Sequence, residues 1–330
     1  MPRLEDWALV SAADVADLYR AERERWRAEL DWDLSDTCDA LERARRNGRV
    51  PGFVVRQASG AVAGWTYFLL QGGELQIGAL VASSPEVTAA LVDGALASPA
   101  AAVARRTLFF AYTQAPGLER ALRERSFDVG AEHYLVRALA GAPGPADGRL
   151  RGWRDSDLEP VGDMLQAAYH GPDPRRPFAP SGARHDWRDY VRQLTLTAGC
   201  GAFLPALSVV AAGGDTLAGA ALVTRVSETT AHLAQMAVRP GMRGHGLGTR
   251  LLGRVVQGAT DSGFARLSLL VSETNTRARR LYAEQGFVRH GAFVSATRAR
   301  QRRGARRSDD AQPRRSTSEA WPVDGARTRR

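Results

Sequence analysis

Residues 232–252 place apolar and polar positions in an order that predicts a strand, a loop and a helix. The first seven residues, 232–238, are mostly apolar, as in a buried strand. Pro240 and Gly241 end this run, because proline and glycine interrupt a strand. An apolar pattern with helical spacing then begins near Leu247. A glycine-rich loop therefore joins a buried strand to an amphipathic helix.

Three alternate positions of this loop, Gly244, Gly246 and Gly248, carry no Cβ atom. The backbone can therefore take positive φ angles and aim several N–H groups at one point. The free N–H groups and the positive dipole end of the next helix face the same point. Arg243 adds a permanent positive charge. The loop predicts a phosphate or pyrophosphate site held largely by backbone; the alternative interpretation is a flexible turn.

Two other phosphate-binding loops do not fit this spacing. The dinucleotide fingerprint needs two residues before its last glycine, whereas the glycines of residues 243–248 are one residue apart. No Asp or Glu stands at the end of a following strand, the position from which it would bind a ribose. A Walker A loop needs a lysine, and the chain contains none.

The next segment carries a second ordered motif. Residues 266–271 predict a strand, and residues 272–276 carry side chains that cap a helix. An apolar pattern with helical spacing follows, and Gly286 ends it. A strand and a capped helix therefore follow the glycine-rich loop and its helix.

The two motifs together resemble the GNAT superfamily of acyl-CoA-dependent N-acetyltransferases. The family's pyrophosphate loop reads Arg/Gln-x-x-Gly-x-Gly/Ala, and its next strand-helix unit reads Asn-x-x-Ala-x-x-Leu-Tyr-x-x-x-Gly-Phe. The matching positions in this chain are Arg243, Gly246, Gly248, Asn275, Ala278, Leu281, Tyr282, Gly286 and Phe287. The resemblance covers residues 148–298.

The resemblance implies that acetyl-CoA is the acyl donor and that no metal takes part. It places the pantetheine of the donor alongside the predicted strand and the diphosphate at the glycine-rich loop. The implied contacts to the donor are Met236, Ala237, Val238, Arg243, Gly244, His245, Gly246, Leu247, Gly248, Thr249, Asn275 and Tyr282.

Amine acetylation needs a base that takes a proton from the amine and an acid that protonates the leaving thiolate. Tyr282 stands where the family's thiolate-protonating tyrosine sits and is the candidate acid; alternatively it is a core residue. His232 lies four residues before Met236, and strand alternation predicts that both share one face. His232 is therefore one candidate base, although a structural histidine is the alternative. Glu228, in the preceding turn, is the other candidate.

An internal repeat explains the length of 330 residues. Three pairs of segments align: 53–64 with 208–219 (Val54 on Val209), 75–81 with 232–238, and 118–127 with 278–287. The first copy lacks the glycine loop, has Leu122 in place of Tyr282 and has Ala115 in place of Asn275. We therefore expect the first copy to be degenerate and not to acetylate.

The fold expected from the resemblance is α/β (α+β), with two tandem GNAT-like domains. Each has a mixed, mostly antiparallel sheet flanked by helices. The predicted boundaries are residues 1–140 for the degenerate domain, 141–148 for a linker, 149–298 for the N-acetyltransferase domain, and 299–330 for a disordered Arg-rich tail.

The net charge of +9 is concentrated in the predicted tail, where ten arginines accompany four carboxylates. The tail lacks interleaved aromatic residues, so nucleic acid is expected to bind there weakly at most. Cys38 and Cys200 fit no metal or redox spacing, and no apolar run reaches the length of a membrane span. We expect a cytoplasmic protein, monomeric or homodimeric, without membrane contact.

The expected acceptor is the primary amine of a small molecule or a peptide. Two alternatives stay open at this point. The chain could be a non-catalytic CoA-binding or regulatory protein, or an acetyltransferase that resembles mycothiol synthase, which also has tandem domains with one degenerate half.

Overall fold

The structure is a computed structural model that describes residues 3–140, 150–171, 176, 178–179, 181–196, 200–214 and 216–300. The predicted linker, 141–148, lies outside the described residues, as does the predicted tail from residue 301 onward. Among the described residues, no helix combines the length and the apolar character needed to cross a membrane.

The chain forms strands and helices in the same order twice, except that α4 occurs only in the described first half and β8 only in the described second half. The elements of the first half are β1 (Leu4–Asp6), α1 (Ala12–Leu30), α2 (Ser35–Arg46), β2 (Gly52–Arg56), β3 (Val62–Gln71), β4 (Glu74–Ala82), α3 (Pro85–Ala97), α4 (Pro99–Val103), β5 (Arg106–Ala111), α5 (Leu118–Glu124) and β6 (Asp128–Ala138). The elements of the second half are β7 (Leu150–Gly152), α6 (Leu158–Tyr169), α7 (Arg184–Leu196), β8 (Ala202–Phe203), β9 (Val209–Gly213), β10 (Thr216–Arg225), β11 (Thr230–Val238), α8 (Leu247–Asp261), β12 (Arg266–Ser272), α9 (Thr276–Glu284) and β13 (Val288–Ala299). The predicted strand, loop and helix of residues 232–252 are confirmed.

The sheet is mixed and mostly antiparallel, as expected. Its strand order is β1-β2-β3-β4-β5-β13-β6-β12-β11-β10-β9-β7, and β8 pairs with β10 beside this path. The two parallel pairs are β4 with β5 and β11 with β12, one in each half. The expected fold class is therefore confirmed, with the strands of both halves joined in one sheet.

The last strand of each half pairs inside the sheet of the other half. β6, from the first half, lies between β13 and β12, and β13, from the second half, lies between β5 and β6. Glu132 of β6 is opposite both Ser272 of β12 and Phe293 of β13. Each half therefore contributes its last strand to the sheet of the other half. The division into residues 1–140 and 149–298 remains a prediction that is based on the repeat.

Two of the predicted alignments are wrong by one residue. Val54 lies opposite Trp65 and Val210 lies opposite Ala220, which are corresponding residues of β3 and β10, so Val54 corresponds to Val210. The shift arises because the second hairpin turn is shorter. Pairing of the parallel strands matches Gln76, rather than Leu75, with His232. Sequence identity alone could not show these shifts, because bulges and turn lengths set strand register.

Helix α8 packs on the sheet through an apolar stripe. Leu247, Leu251, Val255 and Ala259 recur every four residues and are at most 5% exposed. They share a core with residues of β10, β11 and β12. This packing fixes the start of α8, and with it the glycine-rich loop, against the end of β11.

Candidate functional site

Strands β11 and β12 form a cleft because they pair over only half their length. Their parallel ladder runs from Thr230 to Leu233 on β11 and from Arg266 to Leu269 on β12. Beyond Leu233, β11 pairs only with β10 among the described strands, so its other edge has no strand partner. This edge borders a cavity of about 1180 Å³ lined by residues of both halves.

A β-bulge at Ala234 marks the point where the cleft opens. The bulge interrupts strand alternation, so Leu233 and Met236 both pack in the core beneath α8. His232 faces the other side of the sheet, where it contacts Trp32. The prediction that His232 and Met236 share one face is therefore wrong.

The three residues expected beside the pantetheine, Met236, Ala237 and Val238, lie beyond the bulge. They pair with β10 on one side, and their opposite backbone edge faces the space that β12 has left. Met236 also lines the cavity. Free backbone groups on this edge could pair with the amides of a ligand laid along the strand.

The glycine-rich loop adopts the backbone conformation that its glycines permit. Gly244 and Gly246 have φ angles of 86° and 72°, and Gly246 is the N-cap residue of α8 without a side-chain cap. Across the described part of the chain, the N–H groups of residues 244–249 donate to no backbone or side-chain oxygen. His245 and Thr249 are exposed, whereas Leu247 is buried. A row of free donors therefore surrounds the positive end of α8.

Arg243 holds the loop in place through its side chain. Its Nε donates to the Val238 carbonyl at 3.0 Å, and its Nη2 donates to the Ala168 carbonyl of α6 at 2.5 Å. The guanidinium thus connects the end of β11 with the end of α6. Its charge still lies beside the loop, where it adds to the positive potential of the helix end.

Tyr282 of α9 lines the cavity from the side of the core. It is 7% exposed, and its ring makes an edge contact with Phe287 at 5.7 Å. Burial, with a smaller contribution from Tyr169, raises the pKa of Tyr282 far above its usual value. The hydroxyl is therefore protonated at neutral pH. It makes no hydrogen bond to any described residue, so it is available as a donor.

Asn275 is the N-cap residue of α9. Its Oδ1 accepts a hydrogen bond from the Ala278 N–H at 3.2 Å, and the residue also lines the cavity. The capping role, which was one of its two interpretations, is confirmed; a contact with a donor molecule stays a prediction.

His232 is a buried, neutral histidine. It is 3% exposed, its Nδ1 lies 2.9 Å from the Ser268 hydroxyl, and its ring packs against Trp32 and Tyr134. Burial lowers its pKa to about 3. An imidazole with this pKa has little affinity for a proton near neutral pH, so this environment does not favour it as the base.

The buried state of His232 predicts a pH-dependent stability. Its folded pKa lies below its unfolded value of about 6.5, so only the unfolded chain gains this proton between pH 6.5 and pH 3. Stability is therefore lost as pH falls below 6.5. By linkage the loss at pH 5 is about 2 kcal/mol. Urea unfolding should show that the wild type loses about 2 kcal/mol more than His232→Gln between pH 7 and pH 5, because the other titrating groups contribute equally to both proteins.

The structure does not bring Glu228 to the cavity. It is exposed in the turn before β11. Eight residues separate it from Met236, which corresponds to about 26 Å along an extended strand. Glu228 and the cleft therefore lie at opposite ends of β11.

Comparison with known proteins gives the family of this architecture. Residues 161–287 match the family described as acetyltransferase (GNAT) family. This match contains the bulged strand, the glycine-rich loop and the capped helix that carries Tyr282. The segment of residues 161–287 is therefore similar to GNAT acetyltransferases and is called the GNAT domain below.

Relatives and solved structures agree with this assignment. An uncharacterized N-acetyltransferase of Mycobacterium bovis is 33% identical over 75 residues, which are 23% of this chain and 48% of that protein. The chain thus spans about half the length of the curated relatives it matches. A GCN5-related N-acetyltransferase from Sphaerobacter thermophilus has the same fold, with a TM-score of 0.64 at 17% identity over 90% of this chain and 95% of that one. A tandem GNAT protein from the clavulanic acid biosynthesis pathway matches with a TM-score of 0.53 at 19% identity, covering 76% and 82%.

The first half has a similar β-bulge and an equally short parallel ladder between β4 and β5, but it lacks the glycine-rich loop. The loop before α3 is short, and its N-cap Ser84 accepts a hydrogen bond from the Val87 N–H, so that donor is satisfied. The ring of Tyr67 lies directly over Gly78, the bulged residue of β4, where any Cβ atom would meet it at 2.3 Å. In the second half the corresponding residue is Leu222, which packs in one apolar cluster with Ala234.

Two polar residues in the cleft, Gln235 and Glu132, were not identified from the sequence. Gln235 accepts a hydrogen bond from the Tyr169 hydroxyl at 2.9 Å and donates to the Tyr190 hydroxyl at 3.3 Å. Glu132 of β6 and Glu273 after β12 line the same cavity. The sequence shows Glu132 as a carboxylate among apolar residues of a predicted strand. It does not show that this strand, β6, pairs with β12 of the GNAT domain.

The cavity itself is acidic and aromatic. Its described lining carries seven carboxylates and two arginines, in contrast to the positive net charge of the chain. Trp26, Trp32, Tyr112 and Phe293 pack edge to face or tilted on the side formed by α1. No group of three or more metal-ligating side chains occurs in the described ranges. Such a lining attracts a cation and packs against its apolar part.

Proposed function

We propose that the chain is an acetyl-CoA-dependent N-acetyltransferase that transfers an acetyl group to a primary amine of a small molecule or peptide by direct attack. The observation that carries this proposal is the alignment of three features. A row of free N–H groups follows the open edge of β11 along the chain, and Tyr282 lines the cavity that this edge borders at Met236.

Each part of the cleft performs one part of the reaction. The N–H groups of residues 244–249 bind the diphosphate of acetyl-CoA, and Arg243 adds positive charge beside them. The open backbone edge of Met236, Ala237 and Val238 pairs with the pantetheine amides, and an N–H there polarises the thioester carbonyl. The acetyl group is thereby held beside the acidic cavity that admits the amine.

Tyr282 completes the reaction as the general acid. The amine attacks the acetyl carbon, the C–N bond forms, and the C–S bond breaks. The Tyr282 hydroxyl then gives its proton to the thiolate. The environment that raises the pKa of Tyr282 keeps that proton in place until the thiolate appears.

The proposal predicts that the wild-type protein releases free CoA thiol from acetyl-CoA in the presence of a primary amine. The measurement is a thiol assay with a polyamine, an aminoglycoside and dipeptides, and mass spectrometry of the N-acetylated product. Methylated, non-nucleophilic amines serve as controls and should release no thiol. Tight CoA binding without product from any of these amines would instead indicate a non-catalytic CoA-binding protein.

A further inference from the structure

Glu132 lies inside the cleft of the GNAT domain although it belongs to the first half of the chain. It sits on β6, opposite Ser272 at the end of β12 and opposite Phe293 of β13. It lines the same cavity as Met236 and Tyr282. The exchange of β6 between the halves is what brings this carboxylate to the cleft.

Glu132 differs from the other carboxylates that line the cavity. Glu22 forms an ion pair with Arg25, and Glu74 forms one with Arg106. Glu273 accepts a hydrogen bond from the Ala131 N–H at 3.1 Å. Glu132 is partly buried and forms no ion pair within the described residues. It is therefore a carboxylate without a cation, held where a cationic ligand would enter.

The repeat supplies an internal comparison for this position. Leu135 of β6 lies opposite Leu269 of β12, and Ala296 of β13 lies opposite Phe109 of β5, so Leu135 and Ala296 occupy corresponding positions in the two halves. Three residues earlier on each strand, Glu132 therefore corresponds to Phe293. Phe293 of β13 thus stands in the sheet of the first half at the position where Glu132 stands beside β12. The carboxylate is absent from the half that lacks the glycine-rich loop.

The groups around Glu132 set its protonation. Burial and the charge of Glu273 raise its pKa to about 7, against a smaller opposite effect of the Ser272 hydroxyl. The other neighbours from packed elements are Phe293 of β13, which is uncharged, and Tyr169 of α6, whose pKa is itself raised. A carboxylate in this state accepts a proton efficiently at neutral pH.

We propose that Glu132, delivered by the exchanged strand of the first half, is the general base that takes the proton from the acceptor amine in the GNAT domain. This inference rests on the proposed acetyl transfer. The ammonium group of the acceptor gives one proton to the Glu132 carboxylate, and the neutral amine attacks the acetyl carbon. The thiolate leaves with the proton of Tyr282, and the second proton of the new amide nitrogen returns to the tyrosinate through solvent. Glu132 finally releases its proton to water.

The test compares pH profiles of kcat/KM for the wild type and three variants, with acetyl-CoA and an amine that the wild type acetylates. The wild-type profile should rise with pH through an apparent pKa near 7. Glu132→Gln should lower kcat about 100-fold at pH 8 and flatten the rise. Glu132→Asp should restore part of the rate and the rise. Glu273→Gln should move the rise to lower pH, because it removes the charge that raises the pKa of Glu132.

Glu284→Gln is the matched control, because Glu284 is an exposed carboxylate of α9 that does not line the cavity. Its profile should match the wild type. CoA affinity, measured by calorimetry, should be the same in all five proteins. An active wild type together with Glu132→Gln that keeps its rate and its pH profile would overturn the role of Glu132. A wild type that acetylates no amine would instead refute the proposed function.

A second readout does not depend on turnover. Carbon NMR of the protein labelled at glutamate carboxyl carbons should show one resonance that titrates near pH 7 and is absent from Glu132→Gln. A midpoint below about 5 would contradict the inference, because a carboxylate of ordinary pKa is a poor base for an ammonium ion.

Discussion

Replacing Tyr282 by phenylalanine is expected to lower kcat about 100-fold while CoA affinity stays at the wild-type value. The variant keeps the ring that packs against Phe287 and removes only the hydroxyl, so the core is retained. Without this donor the thiolate must leave unprotonated, which raises the barrier of the chemical step. The measurement combines steady-state thiol release with calorimetric titration of CoA.

Tyr67→Phe is the matched control for this substitution. Tyr67 is a partly buried tyrosine over the bulge of the first half, and desolvation raises its pKa to about 12. Removing its hydroxyl should leave kcat within a factor of about two, because it has no part in the reaction. If Tyr282→Phe keeps the wild-type kcat, Tyr282 is a core residue and the acid must be sought elsewhere.

Replacing Gly246 by valine is expected to weaken CoA binding about 30-fold, which corresponds to about 2 kcal/mol. Gly246 has a φ angle of 72° at the start of α8, and a β-branched residue is strained there. The backbone must therefore turn, and the row of free N–H groups from Gly244 to Thr249 loses its common direction. Calorimetric titration of CoA measures the change.

Gly253→Ala, in the same helix, tests whether any glycine substitution in α8 has this effect. No atom lies within 4 Å of the position that its Cβ would occupy, and alanine favours a helix. Its CoA affinity should equal that of the wild type. Equal affinity of Gly246→Val and the wild type would show that the loop backbone does not hold the diphosphate.

The part of the site made from contiguous sequence could be predicted. Gly244 and Gly246 after an apolar strand indicate a turn, because positive φ angles favour glycine. Leu247 begins an apolar pattern with helical spacing, which indicates the start of a helix with a buried face. Asn275 could be placed at a helix start for a similar local reason, and the structure confirms it as the cap. These features depend on local chemistry.

The part of the site that depends on pairing between distant strands could not be predicted. Because of the bulge at Ala234, the side chains of His232 and Met236 lie on opposite faces of the sheet. No residue type in that strand indicates a bulge. The exchange of β6 and β13 is set by the whole sheet, so Glu132 was not among the predicted site residues. Burial of His232 likewise follows from Trp32 and Tyr134, which are far away in sequence.

In the proposed reaction, backbone N–H groups at the start of α8 hold the diphosphate of the acyl donor. The most direct measurement is a nitrogen-proton NMR titration of the wild-type protein with CoA, read at the amides of residues 244–249. We predict that these amides shift on binding, while those of Ser84 and Val87 at the start of α3 do not. Unchanged amides at residues 244–249 in the presence of bound CoA would contradict the account.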